Sequence, residues 1–202
     1  MTRNPLIYLA SRSPRRRELL RQIGVSHSPA DIEVDECVHP AESPEAYVLR
    51  LAIEKVRAGL LLTNEMERLP VLAADTTVVI GGEILGKPRD REQGLSMLRR
   101  LSGHTHEVYT AVALGSRRIE TRLSLSRVTF RPMSGTEIEA YWESGEPADK
   151  AGGYAIQGLG AQFVKELQGS YSGVMGLPLF ETAELLRGEG IELMNPERAV
   201  GR

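Results

Sequence analysis

Apolar residues along this chain recur with a helical period in some stretches and alternate or run unbroken in others, and the switches between these patterns lay out the elements. A short apolar run over 6–10 predicts a strand. It passes through Ser11-Arg12-Ser13 into a helix over 14–23, with Ser13 as N-cap, Pro14 at the first helical position and Gly24 just past the end. Ile32 and Val34 then alternate with Asp31, Glu33 and Asp35, which predicts an extended stretch over 30–36. Ser43 and Pro44 repeat the start signal for a helix to about Leu62, with Val48, Ala52 and Gly59 on one face. The near-continuous apolar run over 71–80 predicts a strand buried on both faces, followed by a Gly81-Gly82 hairpin and a return strand over 83–85.

Asp90 with Gln93 forms a capping-box pattern for a helix carrying Leu95, Leu98 and Leu101, stopped by Ser102-Gly103. Two strand-like runs follow over 107–114 and 119–131, and the parity of apolar positions shifts between Leu125 and Val128, which predicts a bulge. Ser134 and Glu137 form a second capping box, opening a helix with Ile138, Tyr141 and Trp142. A strand over 163–167, a turn over 169–171, a last amphipathic helix from 177 through 186 and a loose tail of about a dozen residues complete the chain.

Composition narrows the class. With 202 residues the chain is one large domain or two small lobes, and 41% hydrophobic with 26% charged residues is ordinary for a soluble globular protein. A net charge of −2 argues against nucleic-acid binding by bulk electrostatics, so any anion site must be local. One cysteine, Cys37, permits neither an internal disulfide nor a cysteine-rich metal site. The first residues read as neither secretory signal nor membrane span, which makes the cytoplasm the expected compartment.

Candidate chemistry starts at residues 11–17. The helix over 14–23 puts Arg15 at the margin of its apolar stripe and Arg16 inside it, while Arg17 and Arg21 point toward water. Two guanidinium groups at a helix N-terminus, already partly positive, are unfavourable unless an anion offsets them, and phosphate suits such a place. The competing reading is a solvated charged face. Lys55 lies on the apolar face of its helix, where it either snorkels outward or meets phosphate oxygens in a cleft. Asp75, alone in an apolar strand, must be paired, protonated or metal-bound. Glu36, at the end of an acidic stretch, is either one more solvated acid or a hard oxygen ligand for a divalent cation.

Gly81, Gly86 and Lys87 satisfy G-x-x-x-x-G-K, but Pro88 stands where a magnesium-binding hydroxyl belongs and the glycines flank a hairpin, which rules out a P-loop. Lys87 remains as a cation beyond the strand after the hairpin, or an exposed loop lysine. Gly152, Gly153, Gly158 and Gly160 let backbone approach a ligand closely, and Gln157 among them carries a paired donor and acceptor able to read a base edge, unless it is a plain surface turn. His104 and His106 read as ordinary polar residues, and Cys37 has no catalytic setting.

The opening that ends in Ser11-Arg12-Ser13-Pro14-Arg15-Arg16, with Val34-Asp35-Glu36, Glu54-Lys55, Ala74-Asp75-Thr76, Gly86-Lys87-Pro88, Ala151-Gly152 through Gln157-Gly158 and Gly176-Leu177-Pro178, resembles the Maf family of nucleoside triphosphate pyrophosphatases in order over nearly the whole chain. The resemblance implies a single domain over 1–202, with an elongated mixed-sheet α/β fold related to the inosine triphosphate pyrophosphatases and two lobes around a deep cleft. It implies house-cleaning cleavage of a nucleoside triphosphate between the α and β phosphates with a divalent cation, and it allows a homodimer. The family's proton-accepting aspartate matches Asp75, and its specificity positions match Arg15, Thr76 and Gln157. That trio is similar to the dTTP/UTP branch; the 7-methyl-GTP branch is expected to carry tryptophan, glutamine and glutamate there.

An aspartate of pKa about 3.9, lowered further by cations, is a poor base for bulk water of pKa about 15.7, so a metal must close most of the gap. The expectation is that Asp75 and Glu36 hold Mg²⁺ or Mn²⁺, while Ser11, Arg15, Arg16, Lys55 and Lys87 take charge developing on pyrophosphate. Two rivals stand beside it: a non-catalytic nucleotide-binding regulator of cell division, and a phosphatase releasing inorganic phosphate.

Overall fold

The computed structural model describes residues 5–63 and 69–193, so residues 1–4 and most of the predicted tail lie outside the described residues. In chain order the elements are β1 (Ile7–Leu9), α1 (Pro14–Gln22), β2 (His27–Pro29), α2 (Pro44–Thr63), β3 (Val71–Ile80), β4 (Glu83–Leu85), α3 (Arg91–Leu101), β5 (Thr105–Gly115), β6 (Ile119–Phe130), α4 (Gly135–Glu143), β7 (Val164–Gln168), α5 (Tyr171–Met175) and α6 (Leu179–Gly188). Short 3-10 turns at Glu146–Asp149, Ala151–Gly153 and Leu159–Phe163 lie between α4 and β7. The seven strands form one mixed sheet in the order β2-β1-β3-β5-β6-β7, with β4 on β3. β1 runs parallel to β2 and β3, whereas β3–β4 and β6–β7 are antiparallel. Among the described residues no helix is long and apolar enough to cross a membrane.

The described chain divides into two compact units. The first draws on Met1–Asp75, Ala111–Leu123 and Gly176–Arg202. Its core includes Ile7 and Leu9 of β1, Leu20 of α1, Leu51 and Val56 of α2, Leu72 of β3 and Leu186 of α6, all removed from water. Helix α2 starts as its sequence directs, with Pro44 in the first turn and Ser43 Oγ accepting the Ala46 amide at 3.2 Å. A side chain at Gly59 would stand 2.7 Å from Val71 and 3.3 Å from Ala10, so glycine is what admits α2 this close to β1 and β3.

The second unit comprises Thr76–Thr110 and Ser124–Met175. Val78, Leu95, Leu98, Leu101, Val128, Phe130, Ile138 and Phe163 form its core. The predicted capping box on α4 is complete, but α3 has half of its own. Asp90 Oδ1 accepts the Gln93 amide at 2.8 Å, while the Gln93 side chain turns to the Arg89 amide, also 2.8 Å away.

Two sequence expectations fail for identifiable reasons. Residues 30–39 form no strand, and the extended segment lies earlier, at β2. The acids reach basic side chains instead: Arg12 for Asp31 and Glu33, at 3.7 and 3.3 Å, and Lys55 for Glu36. Nor does the inward-facing parity shift between Leu125 and Val128. Ser124, Ser126, Val128 and Phe130 face inward in unbroken alternation, and Leu125 is 44% exposed. Polar residues fit that inner face because Ser126 Oγ accepts the Ser170 amide at 3.0 Å and donates to its carbonyl at 3.3 Å. The register irregularity comes later, at Thr129/Phe130 against β7.

Candidate active site

In the first unit the chain leaves β1 and turns sharply into α1, and Ser11 organises the turn. Its Oγ accepts the Ser13 amide at 3.2 Å and Arg16 Nη1 at 3.3 Å. Ser13, the expected N-cap, makes no side-chain cap bond, so the oxygen at this helix entrance comes two residues earlier. Arg16 Nε donates to the Gly176 carbonyl at 2.7 Å, tying the first turn of α1 to the segment that precedes α6. Burial pulls the Arg16 guanidinium below its ordinary value, while the charges of Asp75 and Glu36 act the other way. Arg15 is half-buried, and so is Arg17, whose Nε is hidden from water with no hydrogen-bond partner among the described residues. Arg21 is exposed as expected, but Arg17 is half-buried rather than turned fully to water.

Lys55 is the centre of the arrangement. It is 7% exposed, and its Nζ stands 2.7 Å from Asp75 Oδ1 and 2.7 Å from Glu36 Oε1. The ammonium is turned inward rather than snorkelled, because two carboxylates compensate its desolvation. Asp75, also 7% exposed, has its carboxyl pushed above the usual range by burial, against the pull of Lys55 and Arg16. That reverses the expectation that neighbouring cations would lower it, and it makes Asp75 a better proton acceptor than an exposed aspartate.

The sequence reading missed the groups that hold Glu36. The Tyr47 hydroxyl donates to the Glu36 carbonyl at 2.9 Å, and burial, with the charges of Asp75 and Glu36, pushes that phenol up to about 12, so it keeps its proton. Arg50 donates to the Cys37 carbonyl at 2.9 Å and grips Glu42 through Nε at 2.6 Å and Nη2 at 2.8 Å. Tyr47, Leu51 and Lys55 follow one another at four-residue spacing on α2, and that spacing was the available signal for Tyr47. Cys37 is exposed, and its proximity to Asp35 holds the thiol above its ordinary value, which suits no nucleophile.

Glu36 and Asp75 offer hard carboxylate oxygens gathered around one point, the kind and number of protein ligands with which Mg²⁺ or Mn²⁺ is ordinarily held beside water and phosphate oxygens. Among the described residues no group of three or more His, Cys, Asp or Glu side chains is placed to hold a metal without such help.

Thr76, Lys87 and Gln157 belong to the second unit. Thr76 is half-buried and its hydroxyl lies 3.0 Å from Thr110 Oγ1; Thr110 donates its proton to the Gly173 carbonyl at 2.8 Å and so accepts from Thr76. Lys87 lies just beyond β4 and is exposed, which is the competing loop-lysine placement. Gln157 is exposed on a turn between buried Ile156 and half-buried Gly158. The structure thus gathers Ser11, Arg16, Glu36, Lys55 and Asp75 within one unit and sets the specificity candidates Thr76 and Gln157 in the other.

A family model described as Maf-like protein matches residues 6–189. A dTTP/UTP pyrophosphatase of Alkalilimnicola ehrlichii is 62% identical over 185 residues, 90% of this chain and 92% of that protein. Another, from Saccharophagus degradans, is 56% identical over 89% of this chain and 87% of that protein. The solved structure of the Ham1 protein of Staphylococcus aureus aligns over 91% of this chain and 98% of its own, at 14% identity and a TM-score of 0.47.

Proposed function

The chain belongs to the Maf-like protein family, and we infer that it is a nucleoside triphosphate pyrophosphatase that hydrolyses dTTP and UTP to the monophosphate and pyrophosphate. The observation that carries the chemistry is the buried carboxylate of Asp75 held at 2.7 Å by Lys55. In this reading Asp75 accepts the proton of the water that attacks the α-phosphorus. Lys55 holds the carboxylate in place before the divalent cation binds and, once freed by it, offsets negative charge as it develops on the phosphates. Ser11, Arg15 and Arg16, at the start of α1, receive the polyphosphate, with Lys87 as a further cation. Thr76, Gln157 and Arg15, which match the family's specificity positions, contribute to the choice of nucleotide.

Glu36 and Asp75 would hold the divalent cation, Mg²⁺ or Mn²⁺, which when bound neutralises phosphate charge and acidifies water. The enzyme would then work on free nucleotides in the cytoplasm. A non-catalytic regulator would need the cations but not a desolvated carboxylate among them. The experiment is direct: supply Mg²⁺ with dTTP, UTP, CTP or 7-methyl-GTP and identify the products. Monophosphate with pyrophosphate is expected from dTTP and UTP. Diphosphate with inorganic phosphate, or no turnover of any nucleotide, overturns the inference.

A further inference from the structure

Gln157 stands in a short irregular stretch, yet that stretch is held at nearly every step by side chains from elsewhere in the second unit. The Tyr154 hydroxyl meets His106 Nε2 at 2.8 Å. The Ala155 amide donates to the Tyr141 hydroxyl at 3.1 Å. Beyond Gln157, the Leu159 amide donates to Glu146 Oε2 at 2.9 Å and the Gly160 amide to Glu146 Oε1 at 3.0 Å. Tyr141 closes the circuit by donating its own proton to Glu146 Oε1 at 2.7 Å. One phenol and one carboxylate therefore grip the turn on both sides of Gln157, the first through residue 155 and the second through residues 159 and 160.

The glycines here serve this grip. A side chain at Gly158 would run into the Glu146 carboxylate, and one at Gly160 would stand 2.6 Å from the Tyr141 hydroxyl and 2.7 Å from the Ala155 carbonyl. Close backbone approach, which the sequence assigns to a ligand, is at these two positions approach to Glu146 and Tyr141. Against the cost of burial, the Tyr141 hydroxyl and the amides of Gly160 and Leu159 hold the Glu146 carboxyl below the usual range, so it stays ionised and purely an acceptor.

We propose that Glu146, with Tyr141, is a positioning residue that sets nucleotide selectivity by fixing the turn that presents Gln157. It touches neither phosphate nor base. The proposal rests on the reading of Gln157 as the group that meets the base. Glu146→Gln keeps the shape but places an amide N–H₂ where acceptor oxygen faced two backbone N–H donors and a phenol, so at least one tie is lost.

The test measures, on the full chain with Mg²⁺, the ratio of kcat/KM for UTP to that for the best-used competitor among CTP, GTP and 7-methyl-GTP. The fraction of folded enzyme cancels in this ratio, so a merely structural role for Glu146 does not move it. Gln157→Ala should lower the ratio about fivefold, the worth of roughly one hydrogen bond. Glu146→Gln should lower it by a similar factor, and the double variant should fall no further than Gln157→Ala alone. If Gln157→Ala lowers the ratio and Glu146→Gln does not, or if the two factors multiply, the positioning role is overturned while Gln157 keeps its own. If Gln157→Ala leaves the ratio unchanged, the reading of Gln157 falls and the proposal with it. Tyr141→Phe, which removes one oxygen from the same circuit, is judged by the same outcomes should Glu146→Gln not accumulate as folded protein.

Discussion

Acid should destabilise this protein through His106 before the carboxylates titrate. The imidazole is 1% exposed, stands edge-on to Phe130 and Tyr154 with ring centroids 5.0 and 5.3 Å away, and bonds only through Nε2, to Tyr154. The cation would carry N–H on both nitrogens, and Nδ1 has no partner among the described residues, so it would be both desolvated and half unpaired. Burial accordingly lowers the ring to about 4. The unfolded ring titrates near 6.5, so between these values the unfolded chain binds the extra proton and the folded one does not. Stability is therefore full above about 6.5 and falls with pH until it levels below about 4. At about 1.4 kcal/mol per unit, roughly 2 kcal/mol is lost between pH 7 and pH 5. Urea unfolding at those two pH values measures the loss, with His106→Gln as the reference because it can still bond Tyr154 but cannot charge. The variant should be weaker at pH 7 and show a nearly flat profile across the window. Equal pH dependence in the two proteins would refute the assignment.

Asp75→Asn should lose stability, since Lys55 keeps only Glu36, and the folded fraction should lose about 10²–10⁴ in kcat, as for removal of a general base, read by pyrophosphate release. Removing one negative charge beside Lys55 should also tighten UTP binding in EDTA relative to wild type, measured by calorimetry on both proteins. Glu42, drawn down to about 2 chiefly by its hydrogen bonds with Arg50, contributes stability that is present above its ordinary value of about 4.3 and fades as pH falls toward about 2; Arg50→Gln should remove that acid-side dependence from unfolding curves. Gly160→Ala, which drives a methyl group against Tyr141 and Ala155, should cost about 1–3 kcal/mol in urea unfolding at pH 7.

What could be read from the sequence was whatever broke a local pattern. A carboxylate in an apolar strand and a lysine on an apolar helix face both announce compensation, and Asp75 and Lys55 are indeed compensated by each other. The identity of the partner was hidden, because 20 residues and a helix-to-strand crossing separate the two. Ser124 and Ser126 misled for the opposite reason: they occupy inward positions that polarity alone assigns to solvent, and for Ser126 the backbone of residue 170 is the compensation. Glu146 sits in a turn whose composition is ordinary, and its role depends on amides, which every residue but proline carries and no sequence distinguishes. The acidic stretch over 31–36 alternates like a strand although Asp31 and Glu33 share Arg12 and Glu36 reaches Lys55, a pattern that periodicity cannot tell from pleating.

The charge balance of the first unit bears on how the site takes its substrate. Arg16 and Lys55 carry two positive charges, Asp75 and Glu36 two negative ones, and the four influence one another closely enough to shift the ionisation of Arg16 and Asp75. Such a set is neutral as a whole, which is the condition under which a mostly desolvated cluster survives folding. A triphosphate entering it adds negative charge that Lys55 cannot offset while both carboxylates hold its ammonium. Either the carboxylates must be given another cation or the ammonium must stay with them. A divalent ion held by Glu36 and Asp75 would resolve both demands, since it would satisfy the acids and free Lys55 for phosphate. Metal and nucleotide should therefore bind with positive coupling, and that coupling follows from the pairing of Lys55, independently of any chemical step.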